Sequence, residues 1–104
     1  MAFEIRKGNK IIGFSELEFG DPPMGFVHGA FKPTQFYSPN ADKTGCKLFI
    51  RGTDEEIAND FIVIEDISEE LGEPFIEVTI LVSTAEIYEK FFKHHLDAYE
   101  KQFD

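Results

Sequence analysis

The sequence predicts an α+β domain in which an antiparallel sheet of five or six strands carries a C-terminal helix on one face. Two observations lead to this prediction. Short runs of β-branched and aromatic residues are separated by glycine and proline, which is typical of antiparallel strands joined by turns. The end of the chain instead repeats apolar residues at spacings of three and four, the period of a helix. At 104 residues, the chain is expected to form a single domain, 1–104.

Two β-hairpins are expected. Residues 3–6 and 10–17 flank a Lys-Gly-Asn connection of the kind that closes a hairpin. Residues 61–65 and 75–82 are rich in isoleucine, valine and phenylalanine, and the connection between them contains glycine and proline. The second pair is therefore predicted to be an antiparallel hairpin with a long acidic loop.

The C-terminal helix is predicted to begin at Ser83. The run Ser83-Thr84-Ala85-Glu86 fits a capping box, in which the Ser83 hydroxyl accepts the Glu86 amide and the Glu86 carboxylate accepts the Ser83 amide. Beyond the cap, one apolar stripe is formed by Ile87, Phe91 or Phe92, His95 or Leu96, Tyr99 and Phe103. We expect this stripe to pack on the sheet.

The negative charge is concentrated in one segment. Between Arg51 and Lys90 there are twelve carboxylates and no basic residue, which leaves eight acidic residues against all ten bases elsewhere. The net charge of −10 therefore arises from this segment. A concentrated negative field speeds the encounter with a basic partner and repels nucleic acid and anionic lipid. We expect a basic protein partner, and neither nucleic acid nor membrane.

The partner is expected to contact carboxylates of this acidic segment, namely Asp54, Glu55, Glu56, Asp60, Asp66, Glu69, Glu70 and Glu73. In size and charge the chain resembles the immunity proteins of bacterial toxin systems, which bind and block a cognate toxin. This likeness is one of physical type. It implies that the chain sequesters a basic toxin, for example a nuclease, whose active site is built to hold phosphates.

No enzymatic activity is expected. The sequence contains no nucleophile elbow, P-loop, dinucleotide fingerprint or HExxH motif. Catalytic carboxylates need burial to shift their pKa, whereas those of the acidic segment are expected on a solvated face. A Cys46–His28 nucleophile pair would require neighbouring strands, and Cys46 lies among apolar residues without the signature of a reactive cysteine.

No metal or other cofactor is expected. Residues 40–45 resemble the first half of a calcium-binding EF loop, but Arg51 occupies the twelfth position, where a bidentate glutamate is needed. His94 and His95 are adjacent, so on a helix they point about 100° apart. His94 and Asp97 are an i, i+3 pair that could share a face, but a third ligand would have to come from elsewhere in the chain.

The most distinctive local string is Asp21-Pro22-Pro23-Met24-Gly25. Its prolines predict that residues 19–23 form a rigid turn without regular structure. Over about residues 10–37 the chain resembles small uncharacterised bacterial proteins that share an Asp-Pro-Pro-Met-Gly segment, a likeness that implies no catalytic residues. The alternative function is a small-ligand-binding or enzymatic domain whose site lies near the Pro22-Pro23 turn with Met24, His28 and Phe31.

A cytoplasmic location is expected. The single cysteine excludes an internal disulfide, which fits a reducing compartment. Charged residues interrupt every apolar run in the first twenty residues, and no apolar stretch approaches the ~20 residues that span a bilayer.

Overall fold

The computed structural model describes residues 2–39 and 44–102 and confirms the α+β class with a C-terminal helix. The strands are divided between two antiparallel sheets, whereas one sheet was expected. The strands are β1 (Phe3–Lys7), β2 (Lys10–Ser15), β3 (Phe19–Asp21), β4 (Phe26–Ala30), β5 (Lys32–Pro33), β6 (Cys46–Ile50), β7 (Glu56–Ile57), β8 (Asn59–Asp66) and β9 (Ile76–Val82). The helices are α1 (Ser68–Leu71) and α2 (Ala85–Lys101), and a 3₁₀ turn spans Pro22–Met24.

The two sheets pack face to face around one core. The five-stranded sheet has the order β5-β2-β1-β6-β7 and the four-stranded sheet has the order β3-β4-β9-β8. Alternate side chains of both sheets point inward because successive residues of a strand face opposite sides. The innermost of these are Phe3, Ile5 and Leu48 from the first sheet and Val27, Val78 and Ile80 from the second. Alternation defines which residues face a core, but it does not define which strands pair, so the division into two sheets was not predicted.

The segment before the two prolines is a strand, contrary to the prediction of irregular structure. Residues Phe19–Asp21 form β3 and pair with β4. Both prolines fall in the 3₁₀ turn that follows, where Gly25 ends the turn with φ 77° and donates its amide to the Pro22 carbonyl. The first residues of a helical turn have no intrahelical amide bond to lose, so proline is tolerated there.

Strands β8 and β9 form the predicted acidic hairpin, with α1 inside its connection. The connection is held by a short-range network. Ser68 donates both its amide, at 2.9 Å, and its hydroxyl to Asp66 Oδ1, and the Ser68 hydroxyl also accepts the Phe75 amide at 2.9 Å. The loop is therefore built by its own side chains.

Helix α2 is capped by Thr84, so the prediction of Ser83 as the cap is wrong by one residue. The Thr84 hydroxyl accepts the Ile87 amide at 3.2 Å. Ser83 instead donates its hydroxyl to Asp60 Oδ1 at 3.0 Å, which ties the start of the helix to β8. Serine and threonine are both favourable helix caps. Because the Ser83 hydroxyl is engaged with Asp60, Thr84 is the residue that caps the helix.

We expect Thr84→Ala to destabilise the fold by about 0.5 to 2 kcal/mol, because it removes the acceptor for an otherwise unpaired helical amide. Ser83→Ala is the matched control and should cost less, since its hydrogen bond is exposed. Urea denaturation of both variants measures the difference. A larger loss for Ser83→Ala would place the cap at Ser83 after all.

Helix α2 contacts both sheets through its buried residues Tyr88, Phe92 and His95. The Phe92 ring lies 5.2 Å from that of Phe3 in β1, and the Tyr88 hydroxyl donates to the Phe26 carbonyl of β4 at 3.0 Å. The backbone departs from helical geometry at Phe92, with φ −128° and ψ 31°. Within the described residues, no helix is long and apolar enough to cross a membrane.

The helix approaches β3 so closely that only glycine fits at position 20. A Cβ on Gly20 would lie 2.6 Å from both the Tyr88 hydroxyl oxygen and the His95 ring. A Cβ carbon does not come this close to another heavy atom, so an alanine there would push the helix away.

Stability should fall at high pH because of Tyr88. Burial, followed by the charge of Asp21, raises the pKa of Tyr88 to about 12, whereas a tyrosine in the unfolded chain has a pKa of about 10. The unfolded state loses the proton first, so this contribution is complete below pH ~10 and is lost as the pH rises through about 12. Tyr88→Phe should lack this decline when urea midpoints are compared across that range, and parallel curves for the two proteins would contradict it.

Candidate functional site

The eight carboxylates expected to bind a partner are divided into two groups. Asp54 and Glu55 precede β7 of the five-stranded sheet and Glu56 begins that strand, while Asp60 is the second residue of β8 in the four-stranded sheet. Asp66, Glu69, Glu70 and Glu73 lie at the far end of β8 and in its connection to β9; we call these four residues the acidic loop. Six residues of extended strand separate Asp60 from Asp66, which is about 20 Å.

Three of the four carboxylates in the first group are paired with bases from the flanks of the sequence. Asp54 lies 3.2 Å from Arg6, Glu55 lies 3.4 Å from Lys90, and Glu56 lies 4.0 Å from Lys47. Such exposed pairs contribute about 0 to 1 kcal/mol each to stability. The pairs also reduce the negative electrostatic field of this group, because each base offsets the charge of one carboxylate.

The acidic loop keeps its charge. In residues 2–39 and 44–102, no lysine or arginine lies within ion-pair distance of Asp66, Glu69, Glu70 or Glu73. The hydrogen bonds from the Ser68 hydroxyl and amide lower the pKa of Asp66, so its ionised form is favoured. Burial and the charge of Asp66 together raise the pKa of nearby Tyr37. In the described part of the chain, the negative charge of this loop is therefore not offset by a lysine or arginine.

The four-stranded sheet as a whole contains no lysine or arginine. Its strands carry five carboxylates, Asp21, Asp60, Glu65, Asp66 and Glu77. The bases lie elsewhere, with five in strands of the other sheet and three in α2: Arg6, Lys7, Lys10, Lys32 and Lys47, then Lys90, Lys93 and Lys101. Arg51 follows β6, and Lys43 lies outside the described residues. The two sheets thus differ in the sign of their charge.

Glu65 and Glu77 were not among the carboxylates expected to bind a partner. They are register partners across β8 and β9, and both lie beside the acidic loop. Two like charges opposite each other in a sheet are destabilising, and Glu77 Oε2 lies 3.3 Å from His28 Nδ1. The sequence of residues 61–65 and 75–82 predicted that these two strands pair. Only the register shows that Glu65 lies opposite Glu77.

A cleft of about 340 Å³ lies beside the Pro22-Pro23 turn, where the alternative function placed a ligand site. It is lined by Pro22, Pro23, Met24, Gly25, Asp60, Leu81, Val82, Ser83, Thr84, Ala85, Tyr88 and Leu96. His28 and Phe31, which were expected at this site, do not line it. Phe31 is buried in the core, and His28 stacks on Phe19 with ring centroids 5.3 Å apart.

The Cys46–His28 pair is not formed. Cys46 lies in β6 of the five-stranded sheet, and His28 lies in β4 of the other sheet. His28 faces away from the core between the sheets, since its neighbours Val27 and Gly29 are the buried residues of β4. No element of the described chain brings these two side chains together.

The adjacent histidines of α2 have structural roles. The rings of His94 and His95 lie 4.1 Å apart, and His95 Nε2 lies 2.8 Å from the carbonyl oxygen of buried Leu17. Burial, followed by the proximity of His95, lowers the pKa of His94. Among the described residues, no group of three potential ligands is placed to hold a metal ion. The EF-like residues 40–43 lie outside the described residues.

Two features of this chain therefore bear on its function, the separation of charge between the sheets and the cleft beside the prolines. Comparison of the chain with protein-family models, with curated proteins and with solved structures gave no match. The function is therefore inferred from the geometry described above.

Proposed function

We propose that this chain is a cytoplasmic binding protein without catalytic activity that sequesters a basic protein, and most concretely a bacterial immunity protein that neutralises a basic toxin such as a nuclease. The observation that supports the proposal is the separation of charge between the two sheets. A sheet with five carboxylates and no lysine or arginine presents one sign of charge to an approaching molecule. Such a surface attracts a basic protein and repels phosphate-bearing polymers.

The acidic loop has the main role in this proposal. Its carboxylates have no lysine or arginine within ion-pair distance in the described chain, whereas Asp54, Glu55 and Glu56 each have one. At physiological ionic strength charges are screened beyond about 8 Å, so the loop's field is set by local groups. A field of this kind accelerates association up to ~10⁹ M⁻¹s⁻¹ at low salt. The carboxylates of the loop can also occupy a phosphate-binding active site, where they are not cleaved as a nucleic acid would be.

Reversing the charge of the loop should weaken binding to a basic partner. In the variant Glu69→Lys, Glu70→Lys and Glu73→Lys, we expect the association rate at low salt to fall by about tenfold or more, and the difference to shrink as salt rises. The fold should remain intact, because exposed charges contribute little to stability.

A matched control changes the net charge by the same amount at the other group, through Asp54→Lys, Glu55→Lys and Glu56→Lys. Because those carboxylates are already paired, the control should slow association less. The partner is first captured from the source organism and identified, and its kinetics are then measured at two ionic strengths. Its toxic activity should be blocked at equal molar amounts of this chain. A neutral or acidic partner, no partner at all, or equal association of the loop variant and the unaltered chain at low salt would refute the proposal.

A second candidate function, small-ligand binding, is favoured by the cleft beside the Pro22-Pro23 turn. Its volume of about 340 Å³ lies within the ~300 to 1,000 Å³ of typical ligand pockets. Screening small molecules by thermal shift tests this function. A saturable stabilisation that is lost in Met24→Trp, which fills the mouth of the cleft, would support it over the first proposal.

A further inference from the structure

The four-stranded sheet has an outer face on which apolar side chains lie between Asp21 at one end and Glu65 and Glu77 at the other. Strand alternation and register place its residues in three rows across the strands. We call this surface the outer face, and its rows are Asp21, Phe26, Leu81 and Phe61; then Phe19, His28, Thr79 and Val63; then Ala30, Glu77 and Glu65. The last row adjoins the acidic loop.

Apolar side chains on the outer face remain exposed. Phe19 is 58% exposed, Phe61 40% and Val63 39%, and Met24 beside the first row is 62% exposed. The opposite face of the same sheet is covered by the five-stranded sheet. A sheet in a monomer commonly has one polar, solvated face, so a row of aromatic rings on the outer face indicates a surface that another molecule covers.

On the outer surface of the five-stranded sheet, aromatic rings are covered by arginine side chains of the same chain. The Arg6 guanidinium lies 3.9 Å from the centroid of the Phe49 ring, and that of Arg51 lies 4.4 Å from the centroid of Phe14. A guanidinium stacked on a ring is attracted by the negative face of the aromatic system and shields it from water. Phe14 and Phe49 are accordingly less exposed than Phe19 and Phe61.

The four-stranded sheet has no such cation of its own, because it contains no lysine or arginine. We propose that its outer face is the docking surface for a basic polypeptide, whose arginine or lysine side chains stack on Phe19 and Phe61 and form ion pairs with Glu65 and Glu77. This proposal rests on the proposed function and locates the contact surface of that partner. The outer face and the acidic loop together form a continuous surface with an apolar centre.

The dimensions of the surface fit this role. Four strands about 4.8 Å apart and three rows about 6.6 Å apart give a face of roughly 20 by 20 Å, or about 400 Å². A stable interface uses about 800 Å² on each partner. The outer face supplies about half of that area, and the adjoining acidic loop and the rim of the proline cleft supply the remainder. Apolar groups at the centre with charges at the rim are the usual arrangement of protein interfaces.

A second copy of this chain fits the surface less well. Two outer faces in contact would bring carboxylates together with no lysine or arginine between them, which is unfavourable. In a contact with the five-stranded sheet of a second copy, most basic groups would already be engaged, since Arg6, Lys10 and Arg51 lie over rings of their own chain and Lys47 is paired with Glu56. A basic partner of different sequence has neither problem.

The absence of tryptophan from this chain allows a direct test. Phe61→Trp places a single indole on the outer face, and Phe36→Trp places one at a residue outside it that is 48% exposed. The probe is a peptide of about ten residues in which arginine and leucine alternate, so that one side of an extended strand is basic. We expect its addition to shift the indole emission of the Phe61→Trp variant to shorter wavelength and to leave that of the Phe36→Trp variant unchanged. A peptide with glutamate in place of arginine should change neither.

Affinity measurements with the same peptide test the rings themselves. Phe19→Ser with Phe61→Ser should weaken binding by about tenfold, because two cation–π contacts and their apolar area are lost. Phe36→Ser, which removes an equally exposed ring, should change it less than about twofold. Circular dichroism confirms that each variant is folded, and the single variant Phe61→Ser replaces the double one if the double one unfolds.

Four results of these peptide and solution measurements would overturn the docking surface. They are no binding of the arginine peptide, equal binding of the glutamate peptide, equal losses in the Phe61 and Phe36 variants, and a concentration-dependent dimer that the Phe61 substitution dissociates. The last result would assign the face to a second copy. If the captured toxin still binds the Phe19/Phe61 variant normally, the proposed function stands and only this surface is rejected. If no basic protein is captured while the peptide binds as expected, the proposed function fails and the basic-peptide surface remains.

Discussion

Phe92→Ala is expected to destabilise the protein by about 3 to 5 kcal/mol, the range for removing a large aromatic side chain from a close-packed core. Phe92 is 0% exposed. Its ring lies 5.2 Å from that of Phe3 and 5.6 Å from that of Tyr88, so it joins α2 to the five-stranded sheet. The truncation removes the ring from a close-packed core and leaves a cavity in its place.

Phe91→Ala is the matched control, since Phe91 is the adjacent phenylalanine and is only partly buried. It should cost distinctly less than Phe92→Ala. Urea denaturation of the two variants gives both free energies of unfolding. Equal losses would mean that α2 is not rotated as described, and a neutral Phe92→Ala would mean that the helix does not close this core.

Glu4→Gln is expected to cost about 3 kcal/mol, near the lower end of the range for breaking a buried ion pair. Glu4 is 2% exposed. One carboxylate oxygen accepts from Arg6 Nε at 2.7 Å, and the other accepts the Gly52 amide at 2.7 Å. Glutamine removes the charge and presents an amino group to one of these two donors. The cost stays near the lower end because Arg6 is 20% exposed and keeps other partners.

Asp54→Asn provides the control, because Asp54 pairs with the same guanidinium at 3.2 Å but its side chain is 98% exposed. Its loss should be about 0 to 1 kcal/mol. Denaturation of the two variants at neutral pH compares a buried carboxylate with an exposed one at a single arginine. Equal costs would show that burial does not determine the strength of this interaction.

The acidic segment illustrates how a charge count in sequence differs from a field in space. From sequence, Asp54, Glu55 and Glu56 were assigned to the same surface as Glu69, Glu70 and Glu73, since all six lie in the segment without bases between Arg51 and Lys90. Folding brings Arg6, Lys47 and Lys90 to the first group and no lysine or arginine of the described chain to the second. Ion pairs between distant residues depend on strand order, which local patterns do not encode.

The C-terminal helix shows a similar division. Its existence followed from the apolar repeat and from a cap within one residue of the true one, because both are local properties of the chain. Which aromatic residue faces the core did not follow, since the spacing allowed either Phe91 or Phe92. The irregular backbone at Phe92 and the contact of its ring with Phe3 in β1 decided that choice.

The sequence by itself determined the α+β class, the two hairpins, the C-terminal helix and the excess of negative charge. All of these depend on composition, on periodicity or on turn residues close together in the chain. Only the tertiary structure decided that the strands form two sheets, that one sheet is free of lysine and arginine, and that Phe19 and Phe61 share an outer face with Glu65 and Glu77. The physical reason is that these properties depend on the pairing of strands distant in sequence. Such pairing is selected by the free energy of the whole core rather than by any single segment.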